Sequence, residues 1–247
     1  MYIFLYLPII TLAVFSFNDS KSMAKWNGFS LKWYEKLLSN SRIMDALYYT
    51  LLVAVIASVV ATIVGTITAI GIHKMRKGQL RGLLLNVNYL PVLNPDIVTG
   101  VALMSLFVFI SAEFGFTTML LSHIVFNIPY VILSVLPKLK QLPANIEEAA
   151  LDLGATPWYA LRKIVLPQIK PGIISGLIIA FTMSIDDFVI SFFTTGNGVT
   201  NLAIEVYSMT RRGISPEINA LSTIMFISVL ILLVLSNMSQ NKKTASN

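Results

Sequence analysis

The sequence predicts an all-α, polytopic membrane protein with six transmembrane helices and a cytoplasmic helix–turn–helix. Three observations predict it. Of the 247 residues, 55% are hydrophobic and only 12% are charged, whereas an ordinary soluble domain carries about a quarter charged residues. Six stretches are long and apolar enough to cross a bilayer, at about 1–17, 46–72, 83–110, 118–136, 172–194 and 218–236. The basic residues gather in particular loops rather than spreading along the chain.

A bilayer core about 30 Å thick needs about 20 apolar residues at 1.5 Å rise each. Backbone polar groups within such a run must be satisfied locally, so helices are the expected form. The first stretch is short and carries Pro8. It has no basic leader and no small-residue cleavage site after it, so it reads as a retained span rather than a signal peptide. In the segment Ser30–Leu38 that follows, Leu31, Tyr34, Leu37 and Leu38 fall on one helical face, with Ser30 as N-cap. A short surface helix is expected there, with Trp33 and Tyr34 at headgroup level.

With the N-terminus taken as cytoplasmic, eleven of the eighteen Lys and Arg residues fall in inner segments. The densest cluster, His73 to Arg81, contains no acid. Both termini are therefore expected inside. Topology then accounts for the net charge of +6, and no nucleic acid is needed to explain it. The tail Asn241–Asn247 reads as disordered.

Composition excludes several chemistries. There is no cysteine, which removes disulfides and thiolate sites. The two histidines, His73 and His123, are fifty residues apart with no acidic neighbour in sequence, so no metal site is expected. No G-x-x-x-x-G-K-[ST] phosphate loop occurs, so the chain itself is not expected to hydrolyse ATP or to be an enzyme.

The loop 137–171 is the most informative segment. Asn145 stands where an N-cap is wanted, Glu147 and Glu148 sit in the first turn of the helix that follows, and Gly154 stands where a left-handed residue ends it. Thr156 and Pro157 then fit the N-cap and first position of a second helix, which Pro167 is expected to stop. By pattern alone this is a compact cytoplasmic hairpin.

Glu148-Ala149-Ala150, then Gly154, then Ile164-Val165-Leu166-Pro167 resembles, in residue type and spacing, the EAA loop of ABC importer permeases. The segments around Pro95-Asp96, Ser184 to Asp187 and Ser215 to Ala220 extend the likeness along nearly the whole chain to permease subunits of spermidine/putrescine (polyamine) importers. The N-terminus is short by that family's measure.

The resemblance implies a type I ABC importer permease fold, MetI-like, forming half of a translocation pore in the bacterial inner membrane. It implies that Glu148, Ala149, Ala150, Gly154, Ile164, Leu166 and Pro167 couple to an ATPase. The implied partners are a homologous permease, a dimer of ATPase subunits that hold the ATP and magnesium, and an extracytoplasmic substrate-binding protein. The chain itself would carry no cofactor. The alternative left open is an ATP-independent secondary transporter or cation channel.

Asp96, Asp186 and Asp187 fall inside the expected third and fifth spans. A charge at mid-membrane costs about 2.5–3.5 kcal/mol on insertion scales, and no Lys or Arg in these spans neutralises them. A transported cation would. Measured along straight helices, Asp96 and Asp186 lie about 20 Å from the inner face. Pro91 and Pro95 are expected to open the helix beside Asp96. A polyamine suits spaced carboxylates with aromatic walls, for which Tyr89, Phe107, Phe181 and Phe188 are candidates. The outer segment Thr195 to Ile218 is a candidate gate or docking surface.

Overall fold

The computed structural model describes residues 2–21, 25–143, 145–211, 216–227 and 230. These fall into two compact units, residues 46–204 and residues 1–45 with 205–247.

In the smaller unit, α1 (Tyr2–Phe15) leads through a loop into α2 (Lys32–Ser39). Asn18 organises that loop. Its amide donates to the Lys25 carbonyl at 2.8 Å, and its side-chain oxygen accepts from Asn27 N–H at 2.9 Å. The surface helix is found where expected, but its face differs. Trp33 and Leu37 are buried, while Leu31 and Leu38 are exposed. The Trp33 indole N–H donates to the Asn18 carbonyl at 2.7 Å, so this ring anchors α2 on the loop. The Tyr34 hydroxyl meets Ser16 Oγ at 2.7 Å. Residues 216–227 are helical, and the buried Glu217 forms an ion pair with Lys36 of α2. The rest of the expected sixth span, apart from residue 230, and the tail Asn241–Asn247 lie outside the described residues.

The larger unit is built from α3 (Ser41–Lys74), α4 (Gln79–Leu93), α5 (Asp96–Phe109), α6 (Phe116–Gln141), α7 (Ile146–Asp152), α8 (Pro157–Ala160), a π-turn (Leu161–Val165), α9 (Leu166–Asp186), α10 (Val189–Thr194) and the start of α11 (Leu202–Arg211). The polarity of α3 is inverted relative to a soluble helix. It buries Ala54, Ala57, Ser58, Ala61 and Thr62, and exposes Leu51, Val55, Val59, Ile63 and Ile67. Lipid gives no hydrophobic drive between helices, so close packing of small residues must hold them together. Val131 of α6 shows how tightly. A methyl group added at Gly65 of α3 would stand 2.8 Å from its Cβ, and one at Gly176 of α9 would stand 3.3 Å from its Cα. The core around it includes Ala61, Ala69, Val135, Leu139, Val165 and Ile169.

Two expected spans are broken. The third is not one helix over 83–110: α4 and α5 meet at 108° across Asn94–Pro95. Proline at 95 drives Asn94 into an extended conformation (φ −80°, ψ 145°), which ends α4. The depth inferred for Asp96 along a straight helix therefore does not hold; Asp96 is the first residue of α5.

The helix that covers the expected fifth span, 172–194, begins before it and is interrupted within it. An unbroken run of helix extends over Pro157–Asp186. Pro167 does not stop it. The wide turn just before it, closed by Leu166 N–H to the Leu161 carbonyl, makes room for a residue without an N–H near the start of α9. The helix ends at Asp187, which is extended (φ −64°, ψ 122°), and resumes as α10. Among the described residues, three helices are long and apolar enough to cross a membrane, and four if the bent pair is one span.

Candidate functional site: a coupling hairpin and two helix breaks

The hairpin α7–α8 forms much as its sequence dictates. Gly154 adopts φ +84°, a left-handed conformation that a residue with a Cβ takes up at a cost. Ala155 N–H reaches the Ala150 carbonyl at 3.0 Å and Gly154 N–H the Leu151 carbonyl at 2.9 Å. This pair of bonds is the Schellman closure, which satisfies carbonyls left over at the end of α7. Thr156 caps α8, its hydroxyl accepting from Tyr159 N–H at 3.3 Å, with Pro157 following. Asn145 does not act as expected: its side chain makes no cap bond to α7.

Of the residues implied in coupling, Glu148, Ala149, Gly154 and Pro167 are exposed, Ala150 is buried, and Ile164 and Leu166 are half-buried. An open cleft of about 440 Å³ runs along Ala150, Leu153, Gly154, Ala155, Thr156, Tyr159 and Ile164. Beside it Leu153 is 89% exposed and Trp158 67% exposed. Sequence reasoning missed the exposure of Leu153, Trp158 and Tyr159. The signal was present, because three large apolar or aromatic residues flank a turn placed outside the membrane. An uncovered cluster of this kind marks an interaction surface.

The hairpin is firmly tied to the membrane helices. Lys74 at the end of α3 forms an ion pair with Glu147. Val165 and Ile169 belong to the same core as Val131 and Leu139. A methyl group at Gly172 would stand 2.9 Å from the Ser134 carbonyl of α6, so α9 lies close against α6 there.

The acids occupy the two breaks. Asp187 fills the gap between α9 and α10. Its Oδ1 accepts from Ile190 N–H at 3.1 Å, and its Oδ2 accepts from Ser191 N–H at 2.7 Å and Ser191 Oγ at 2.8 Å. Its backbone carbonyl accepts from the Asn201 amide at 2.7 Å. The buried ring of His123 contacts the same Oδ2 at 3.5 Å and Ser191 Oγ at 2.9 Å. Asp187 thus caps α10, and its side chain is 7% exposed. Asp186 and Asp96, by contrast, are exposed.

The breaks are brought together through packing. Gly100, one turn beyond Asp96, lies against Val189, Ile190 and Phe193 of α10, where an added methyl would stand 2.9 Å from the Phe193 ring. Of the candidate aromatic walls, Phe107 is buried edge-on against Phe114 and serves packing, whereas Tyr89 is exposed. Phe188 stacks obliquely on Phe192, with ring centroids 5.4 Å apart. Sequence reasoning missed the polar cluster of His123, Ser191, Asn127 and Ser184. Asn127 donates to Ser184 Oγ at 2.7 Å. In the candidate outer segment, Gly198 has φ +86° and α11 follows it, while Arg212 and Gly213 lie outside the described residues.

Residues 61–241 match the model of the family described as "Binding-protein-dependent transport system inner membrane component". The spermidine/putrescine transport system permease protein PotC of Escherichia coli K12 is 38% identical over an alignment covering 100% of this chain and 93% of that protein. The putrescine transport system permease protein PotI of the same strain is 41% identical over 92% of this chain and 83% of its own length. Among solved structures, a bacterial ABC transporter that imports alginate superimposes with TM-score 0.74 at 17% identity, over 97% of this chain and 90% of that one. The MetNI methionine ABC transporter in an inward-facing conformation gives TM-score 0.63 at 18% identity, over 78% of this chain and 92% of that one. These structures establish the fold. The family match over residues 61–241 and the full-length relatives make this chain a member of the binding-protein-dependent transport system inner membrane components, the multi-pass permease subunits of ABC importers.

Proposed function

We propose that this chain forms half of a polyamine pore, crossing the inner membrane six times with both termini in the cytoplasm. A homologous permease completes the pore, a dimer of ATPase subunits docks on the α7–α8 hairpin, and an extracytoplasmic binding protein delivers substrate. The alginate transporter, solved in complex with a pentasaccharide-bound periplasmic protein, supports that last partner by likeness of fold. The observation that carries the coupling role is the exposed cluster Leu153, Trp158 and Tyr159 around Gly154, mounted on a helix that runs unbroken into the membrane core.

For the substrate, the support is the naming of two full-length relatives for spermidine and putrescine together with exposed carboxylates at two helix breaks. Asp96 and Asp186 are the groups that meet ammonium. Asp187 holds α10 in place beside them. Alternating access follows when closure of the ATPase dimer moves the hairpin and the helix attached to it. The ATP-independent transporter or channel leaves both the family match and the hairpin surface without a role.

The deciding experiment is uptake in vesicles containing the reconstituted complex, comparing labelled spermidine, putrescine and thiamine. Polyamine uptake that requires ATP, and that falls with Asp96→Asn and Asp186→Asn, supports the reading. Uptake without the ATPase, or polyamine uptake unchanged in both variants, overturns it.

A further inference from the structure

A second cavity, separate from the hairpin cleft and the acids, lies where the ends of α3 and α6 meet the starts of α4 and α7. It measures about 480 Å³, and its titratable lining is His73, Lys74, Lys77, Arg81, Lys140 and Glu147. The remaining wall is aliphatic. Glu147 is its only acid among the described residues and is paired with Lys74. Lys77, Arg81 and Lys140 therefore face the space with no carboxylate set against them there.

Two nitrogens of the lining residues have no partner: Arg81 Nε and His73 Nδ1 are buried and make no hydrogen bond among the described residues. Buried polar atoms are normally paired, and a guanidinium fork suits a phosphate. Arg81 also stands in the first turn of the 15-residue α4, which has no side-chain cap, and a helix N-terminus favours an anion.

We propose that this cavity binds a phosphate group, held by Arg81 and Lys77 with Lys140 opposite. Its position at the ends of two membrane helices, beside an aliphatic wall, is where the phosphodiester of an anionic phospholipid sits; inorganic phosphate offers the same oxygens from solution. Lys74 joins the cavity to Glu147 at the start of α7, so an occupant also touches the base of the hairpin.

Full-length protein, extracted in neutral detergent with the subunits it retains, is titrated with phosphatidylglycerol, with phosphatidylcholine and with inorganic phosphate. Bound adducts are counted by native mass spectrometry, and the unfolding midpoint is followed. Phosphatidylglycerol is expected to bind and raise the midpoint while phosphatidylcholine does not. Arg81→Gln and Lys77→Gln are each expected to weaken binding about tenfold, and Lys25→Gln to leave it unchanged. Lys77 is exposed, so its variant decides the matter if Arg81→Gln fails to fold. Inorganic phosphate acting alone with the same variant sensitivity assigns the site to a soluble anion. No binding by either source, or wild-type binding in both variants, overturns the proposal.

Discussion

The Asp187 carboxylate takes two hydrogen bonds from Ser191, one from its backbone N–H and one from its hydroxyl. A membrane acid that at first sight needs a cationic partner is met instead by donors of the next helix. Removing it leaves the N–H groups of Ile190 and Ser191 without an acceptor, at about 1–3 kcal/mol for a buried polar group. Asp187→Ala should lower the unfolding midpoint in detergent, whereas Asp96→Asn and Asp186→Asn should leave it within about 0.5 kcal/mol of wild type and reduce transport. A stable Asp187→Ala protein would show that α10 does not depend on this cap.

Gly65→Ala tests the packing around Val131. The new methyl would lie 2.8 Å from the Val131 Cβ and Cγ1, and such overpacking costs about 1–3 kcal/mol. Adding Val131→Ala removes the Cγ1 contact and should recover part of that loss, which a double-mutant cycle on unfolding will read. Strict additivity would mean that the helices shift apart instead.

Gly154 separates backbone strain from crowding, because nothing lies within 4 Å of a Cβ built there. Gly154→Asn should be tolerated, since asparagine enters the left-handed region readily, while Gly154→Val should cost about 1–2 kcal/mol locally. Transport and ATPase stimulation should follow the same order, with the valine variant still folded. Equal activity in both would show that the turn's shape is immaterial to coupling.

Trp158→Ala and Leu153→Ser remove exposed side chains. Unfolding should barely change, but co-purification with the ATPase should weaken, by about 2 kcal/mol if Trp158 is a central anchor. Undiminished co-purification of the double variant would place the docking surface elsewhere.

Local chemistry made the hairpin legible. Thr156, Pro157 and Gly154 each satisfy a need that arises within a few residues, and the structure meets it in the expected way. The breaks were unevenly legible. Pro95 announced the first, whereas Pro91 stays inside α4. Nothing in the run Ser184 to Phe188 announced the second, because no proline or glycine stands there. It arises from a side-chain cap joined by His123, sixty-four residues earlier in the chain. Pro167 misled because a proline is judged against regular α-geometry, and a π-turn relaxes that constraint. The burial of Trp33 was not legible because its partner is a backbone carbonyl in a loop that periodicity does not see.

The wide turn at Leu161–Val165 fixes an azimuth. Each residue of an α-helix advances about 100° around its axis, so one residue more or fewer ahead of Leu166 would swing Trp158 and Tyr159 roughly a quarter of a revolution about a shaft anchored by Val131. The compass bearing of the aromatic pair is therefore encoded in helix winding, remote from any surface the pair would meet.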